Sequence, residues 1–168
     1  MKTILSRLKT LIQNSSVSTG TLSYVQSVEI VHPTLPETFH SKAKFPKIIF
    51  TPESTVETWI STQEKESVNI VNAYILLIYN QREASIMGDT ARPGVQGKGI
   101  IDILADFLSV VRGHRLSVAG TTYLNKPLDI LNVQYKEEQT DDESFFLVAS
   151  IRMECRFLFL QTSLPGDI

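Results

Sequence analysis

A glycine-studded stretch runs into a nearly all-apolar segment and invites comparison with a phosphate-binding loop. Residues 88–113 read GDTARPGVQGKGIIDILADFLSVVRG. A phosphate-binding loop needs Gly, four residues, then Gly-Lys-Ser/Thr, because backbone amides hold the phosphates and the hydroxyl holds magnesium. Here Gly99 occupies the hydroxyl position, and Arg92 occupies the position of the first glycine. The spacing therefore argues against nucleotide hydrolysis.

The other chemistry-bearing side chains lack catalytic or ligand spacing. Asp102 and Asp106 lie four residues apart on one face of the apolar segment, which favours a solvated helix face over a catalytic pair. The single cysteine, Cys155, cannot form an internal disulfide and falls on the apolar side of a predicted strand. Three histidines lack metal-ligand spacing: His32, His40 and His114. We therefore expect no cofactor, no metal and no enzymatic activity.

The bulk composition indicates an ordinary globular protein. The chain has 168 residues, 42% of them hydrophobic and 20% charged, with a formal net charge of −2. That length predicts a single domain over 1–168. No basic excess indicates nucleic-acid binding, so DNA contact would be transient or indirect. The N-terminal MKTILSRLKTLIQ is interrupted by Lys9 and resembles neither a signal peptide nor a membrane span, so we expect synthesis in the cytoplasm.

Two helices are predicted from apolar spacing. Residues 2–13 carry an apolar stripe, and a central helix spans about 98–112 before Gly113. The central helix is apolar on more than one side. It either lies between a sheet and the first helix, or also packs on a neighbouring subunit. The loop before it, 81–98, is unusually long.

The strands are predicted from alternation. From Phe145 to Leu160 every odd position is apolar, which predicts one strand of sixteen residues that needs a hairpin partner or another chain along its surplus edge. Shorter strands are predicted at 21–32, 47–52, 68–80 and 128–136. Trp59, in STVETWISTQ, is interpreted as a packing anchor in a loop or helical turn. The fold class is α+β, a mainly antiparallel sheet packed by the two helices.

The even positions of the last strand carry a charged row. Arg152, Glu154 and Arg156 form either a solvated cross-strand ladder or a charged seam against a partner chain. They are candidate subunit contacts for that reason.

The order of these features resembles the tail terminator and tail-completion proteins of tailed bacteriophages. The resemblance lies in EASIMGDTARPGVQGKGIIDILADFLSVVRGHRLSVAG, in FPKIIFTPES followed by a long strand, and in the long last strand. It implies a virion protein that forms a ring, usually a hexamer, which caps the tail tube and meets the neck. Arg92 and Lys98 would then face the lumen or the tube, and DNA would only pass through.

Three alternatives stay open at this point. A neck or head-to-tail connector protein shares the size and the assembly logic. A small cytoplasmic enzyme or ligand-binding domain would use residues 81–98 as a lid. An adaptor protein would pair with a partner through its strand edge.

Overall fold

The computed structural model of the chain describes residues 1–17, 20–31, 45–79, 86–88, 97–117, 123–139 and 145–160. Along the chain the elements are α1 (Lys2–Ser15), β1 (Ser27–Ile30), β2 (Lys47–Trp59), β3 (Glu64–Tyr79), α2 (Ile100–Val111), β4 (Asp129–Gln139) and β5 (Phe145–Leu160). Within these ranges, none of the helices has the length and hydropathy needed to cross a membrane.

The strands form one sheet in the order β1-β2-β3-β5-β4. All neighbouring pairs are antiparallel except β1 and β2, which run parallel at one edge. The predicted α+β class, with a mainly antiparallel sheet, is confirmed. The central helix and the last strand lie where the sequence places them.

The long last strand is matched by an equally long neighbour. β3 pairs with β5 from Glu64 opposite Leu160 to Tyr79 opposite Phe145. β2 is also longer than the predicted 47–52 and forms a hairpin with β3. Pro52 is compatible with this extension because it lies at a bulge, where the β2–β3 register shifts by one residue. The bulge also shifts the alternation of side chains between the two faces, so the sequence pattern does not predict the strand past Pro52.

Both helices pack on one face of the sheet. That face carries the odd positions of β5 from Leu147 to Cys155, and all of them are buried. Phe107 of α2 is fully buried, with its ring centroid 6.3 Å from that of Phe50 in β2. Residues of α1 belong to the same cluster, including Ile4 and Leu8. α2 therefore contacts both the sheet and α1, but the two helices lie side by side, since α1 packs directly on β1 and β2.

The opposite face has a smaller apolar cluster beside a buried charge. The cluster consists of Val31, Ile49, Leu76, Phe146 and Val148. The fully buried Lys47 ammonium lies 3.1 Å from Glu29 Oε1 and 5.6 Å from the centroid of the Phe45 ring. Burial acts to raise the pKa of Glu29, but hydrogen bonds from Ser27 and Lys47 outweigh it and lower that pKa below its usual value. The pair joins β1 to β2.

Replacing Glu29 by alanine should lower the free energy of unfolding by about 1–3 kcal/mol, because a buried ammonium loses a charged partner. Lys47→Met should change it by less than about 1 kcal/mol, since an apolar chain of similar length fills the same space. Urea unfolding at neutral pH measures both. Equal losses in the two variants would contradict the assignment of the cost to the loss of Glu29 as a charged partner of the buried ammonium. Since the pKa of Glu29 is lowered on folding, this contribution should disappear as the pH falls through the folded-state pKa.

Candidate functional site

The glycines before α2 serve close backbone packing. A Cβ on Gly99 would lie 2.3 Å from the Gly88 nitrogen and 2.5 Å from the Ile86 carbonyl oxygen, so only glycine fits there. Gly88 has φ +88, a conformation that favours glycine. The Gly99 N–H donates to Asp102 Oδ2 at 3.1 Å, so a side chain of the helix itself occupies the position that an anion would take. The glycine spacing is therefore explained without a phosphate.

Lys98, a candidate contact to the lumen or tube, interacts within its own subunit. Its ammonium forms an ion pair with Asp106 and lies 4.9 Å from the centroid of the Tyr24 ring. The buried Tyr24 hydroxyl donates to the same carboxylate at 2.7 Å. Burial, and then the hydrogen bond to Asp106, raise the pKa of Tyr24 far above its usual value, which removes it from acid–base chemistry at neutral pH. The cluster ties residues 97–99 to the helix and to the segment before β1.

A groove of about 260 Å³ lies beside the start of α2 and is almost entirely apolar. Its lining includes Ile86, Ile100, Ile101, Tyr135 and Leu147. Lys98 is not among the lining residues. Lys136 and Glu137 also line the groove. A phosphate-bearing ligand would need several convergent cationic or amide groups, whereas this lining places one lysine next to a carboxylate.

The most distinctive feature is an extension of the sheet, here called the arm. It consists of 54–59 of β2, 64–70 of β3, the connecting residues 60–63, and 154–160 of β5. β1 pairs only with β2 residues 47–50, and β4 pairs with β5 only as far as Glu154, so the arm extends past both outer strands. The last seven residues of β2 are all exposed.

The arm exposes large apolar side chains on both faces and at its tip. Their exposed fractions are 58% for Val56, 50% for Trp59, 56% for Ile60 and 47% for Leu158. Val56 and Leu158 lie on one face, since both align with even positions of β3, whereas Trp59 lies on the other. A cluster of half-exposed apolar residues on a thin sheet is typical of a protein–protein contact.

Trp59 corrects the interpretation of STVETWISTQ. It ends β2 and is exposed, so it is neither in a helical turn nor a buried anchor. The Lys65 ammonium lies 4.5 Å from its ring centroid and 5.9 Å from that of Phe159 in the same row. Phe157 continues this aromatic row and stacks on Tyr123 at 5.4 Å. No apolar alternation marks this part of the sequence, because both faces of β2 are exposed there.

The charged row of β5 divides into two sets of contacts on the same sheet face. Arg152 forms a two-point ion pair with Glu53, which also accepts from Asn72 at 3.1 Å. The hydrogen bond from Arg152 is the main cause that lowers the pKa of Glu53. Arg156 pairs with Glu154 and lies 3.5 Å from Glu66, and the hydrogen bond to Glu154 raises the pKa of Arg156. The cross-strand ladder is therefore present within one subunit.

The remaining candidate residues are placed as follows. Arg92 lies outside the described residues, as does most of 81–98. Cys155 is fully buried, and desolvation raises the pKa of its thiol to about 12, so it is unreactive in the folded chain. His114 accepts the Leu116 N–H at 2.8 Å through Nδ1. In the part of the chain that the structure covers, no group of three or more His, Cys, Asp or Glu residues could hold a metal ion.

No protein-family model matches the sequence, and no curated protein matches it. Among solved structures, the chain is similar to one in the virion of a native gene transfer agent (GTA) particle, with 11% identity and a TM-score of 0.49. The similarity covers 87% of this chain and 91% of that chain. Similarity at this level establishes neither a family nor a function for this chain.

Proposed function

We propose that the chain is a structural subunit of a tailed-phage virion, without enzymatic activity, that assembles into a ring on the end of the tail tube. The ring, a hexamer in the family that the sequence resembles, stops polymerisation of the tube and presents the face that meets the neck. Its partners are other copies of itself, the tube protein and a neck or connector protein.

The arm is the observation that carries this proposal. A monomer that exposes Val56, Trp59, Ile60 and Leu158 leaves apolar surface in water, and each such side chain is worth roughly 1.5–3 kcal/mol when it is fully buried. Both edges of the arm also extend beyond the strands that cover the rest of the sheet. A row of unpaired backbone groups next to apolar side chains favours association with another chain. Identical neighbours in a ring supply such a partner to every subunit.

The test has two stages. The purified chain is first weighed in solution by mass photometry and light scattering at micromolar concentration, where we expect a closed species near six chain masses. It is then added to polymerising tube protein from the same virion, and tube length is measured by negative-stain electron microscopy. We expect tubes to shorten as the chain is added, with ring density at one end. A chain that stays monomeric and leaves tube length unchanged would refute the proposal.

The second stage also separates the terminator from the neck or connector alternative. A terminator binds the tube end directly and limits its length. A neck protein would form a ring that leaves tube length unchanged and binds the tube only after the terminator is present. Labelled rings applied to bare and to capped tubes distinguish the two.

A further inference from the structure

We propose that β2 of one copy pairs with β5 of the next copy as a parallel strand, with Val56 of one copy beside Leu158 of the other. This inference rests on the proposed ring of identical subunits and names the surface through which they meet. It follows from the hydrogen-bonding directions of the two arm edges and from the positions of the exposed apolar side chains.

The outer edge of β2 offers a regular set of backbone groups. The Ile60 N–H donates to the Glu64 carbonyl at 2.9 Å, so Ile60 points its backbone groups at β3. Because these groups alternate along a strand, those of Thr55, Glu57 and Trp59 point away from β3. None of the strands in the described ranges pairs with this edge beyond the four β2 residues that β1 covers.

The outer edge of β5 is bordered by residues 123–125 as far as Arg156, and none of the described strands pairs with it at Leu158. The Arg156 carbonyl accepts the Asn125 N–H at 3.1 Å, so Arg156 points its backbone groups away from β3. By the same alternation, Leu158 points its N–H and C=O outward as well. β4 pairs with β5 only as far as Glu154, so among the described strands none covers Leu158.

The strand directions select a parallel pairing. β2 and β5 are each antiparallel to β3, so within one subunit they run in the same direction on opposite edges of the arm. A rotation axis along the arm would bring β5 of one copy against β2 of the next with that direction preserved. The contact is heterologous and uses each edge once, which is the kind of contact that the proposed ring requires.

The register follows from the side chains. In a parallel pair, a residue that points its backbone at the neighbour bonds the residues before and after the one opposite it. Leu158 would therefore bond Thr55 and Glu57 and lie opposite Val56 on the same sheet face. This register brings together the exposed aliphatic side chains that β2 and β5 carry on that face of the arm. The neighbouring positions of that face within β2 are both polar: Ser54 and Thr58.

Disulfide trapping tests the pairing directly. Val56→Cys and Leu158→Cys are made in separate chains, each with Cys155→Ala, and are then mixed, assembled and mildly oxidised. Within one chain the two positions are separated by β3, roughly 10 Å, which exceeds the reach of a disulfide of about 7 Å between Cα atoms. A cross-linked dimer therefore reports contact between copies. We expect about tenfold more dimer from this mixture than from Thr58→Cys with Leu158→Cys, because disulfide geometry is strict.

Each single variant alone is the matched control. Cross-linking by Val56→Cys alone would indicate a β2-to-β2 contact and overturn the pairing, as would stronger cross-linking through Thr58→Cys. Rings that form and shorten tubes without cross-linking would overturn the pairing and leave the proposed function standing. A chain that does not assemble at all would overturn both.

A proline variant removes the proposed hydrogen bond between the Glu57 N–H of one copy and the Leu158 carbonyl of the next. Glu57→Pro removes an N–H that points away from β3, whereas Glu57→Ala keeps it and removes only the contact with Lys65 at 3.3 Å. We expect Glu57→Pro to assemble about tenfold more weakly than Glu57→Ala, which corresponds to the loss of about one hydrogen bond. Circular dichroism verifies that both variants fold. Equal assembly by the two folded variants would overturn the strand pairing.

Discussion

The double variant Val56→Lys, Leu158→Lys should remain monomeric at concentrations at which the unsubstituted chain forms rings. Each contact between copies would lose two half-exposed apolar side chains and gain two facing like charges. Truncation of one central contact residue costs about 2 kcal/mol or more in binding free energy. Two such residues are changed, and each 1.4 kcal/mol is about tenfold in affinity, so we expect assembly to weaken at least about a hundredfold. Mass photometry over a dilution series measures the change.

Two further double variants make this result specific. Val56→Glu, Leu158→Lys places opposite charges at the same two positions and should recover about tenfold of the lost affinity, because opposite charges on neighbouring strands attract. Gln13→Lys, Asn14→Lys adds the same charge to an exposed part of α1 and should assemble normally. If the like-charge and opposite-charge variants assemble equally well, Val56 and Leu158 do not face each other.

The part of the fold that the sequence predicts best depends on regular periodicity. β5 keeps one period over its whole length, from Phe145 to Leu160, and its odd positions from Leu147 to Cys155 all belong to the core cluster that packs on the helices. α2 is bounded by local signals: Asp102 caps its start, and Gly113, with φ +74, follows its end. Where one face of an element meets one environment throughout, the pattern and the structure agree.

The arm could not be predicted in the same way, because its environment changes along the strand. Past Pro52, β2 leaves the helices and is exposed on both faces, so no apolar alternation marks it. Only its pairing with β3 across the hairpin shows that the segment past the bulge is a strand. The first strand is shorter than the predicted 21–32, because β1 covers only Ser27–Ile30. The residues before it form turns, in one of which the Val25 N–H donates to the Leu22 carbonyl.

The partners of Lys98 could likewise not be predicted from the sequence. Its position in a glycine-rich loop suggested a cation available to a ligand or a lumen. The structure pairs it with Asp106, eight residues away, and with Tyr24, which is distant in sequence. Side-chain partners brought together by tertiary packing leave no local spacing signal, so the sequence could name Lys98 but not its partner.

Phe107→Ala should lower the free energy of unfolding by about 3–5 kcal/mol, because a fully buried ring leaves a cavity between α1, α2 and the sheet. Ile101→Ala, on the same helix, should cost less than about 1 kcal/mol, since that side chain is 42% exposed. Urea unfolding of the monomeric Val56→Lys, Leu158→Lys background measures both, so that assembly does not contribute to the measured stability.

The same helix also distinguishes the two interpretations of its apolar surface. Phe107 and the other buried residues of α2 face the core, whereas Ile101, Ala105 and Ser109 form the exposed stripe. If the apolar excess serves the core of one subunit and the arm makes the contacts between subunits, Ile101→Lys should assemble as the unsubstituted chain does. A loss of assembly in Ile101→Lys, with its unfolding free energy unchanged, would show that α2 also packs on a neighbour and that the arm is not sufficient. The stability of Phe107→Ala and the assembly of Ile101→Lys together therefore assign each side of this helix to the subunit core or to the ring.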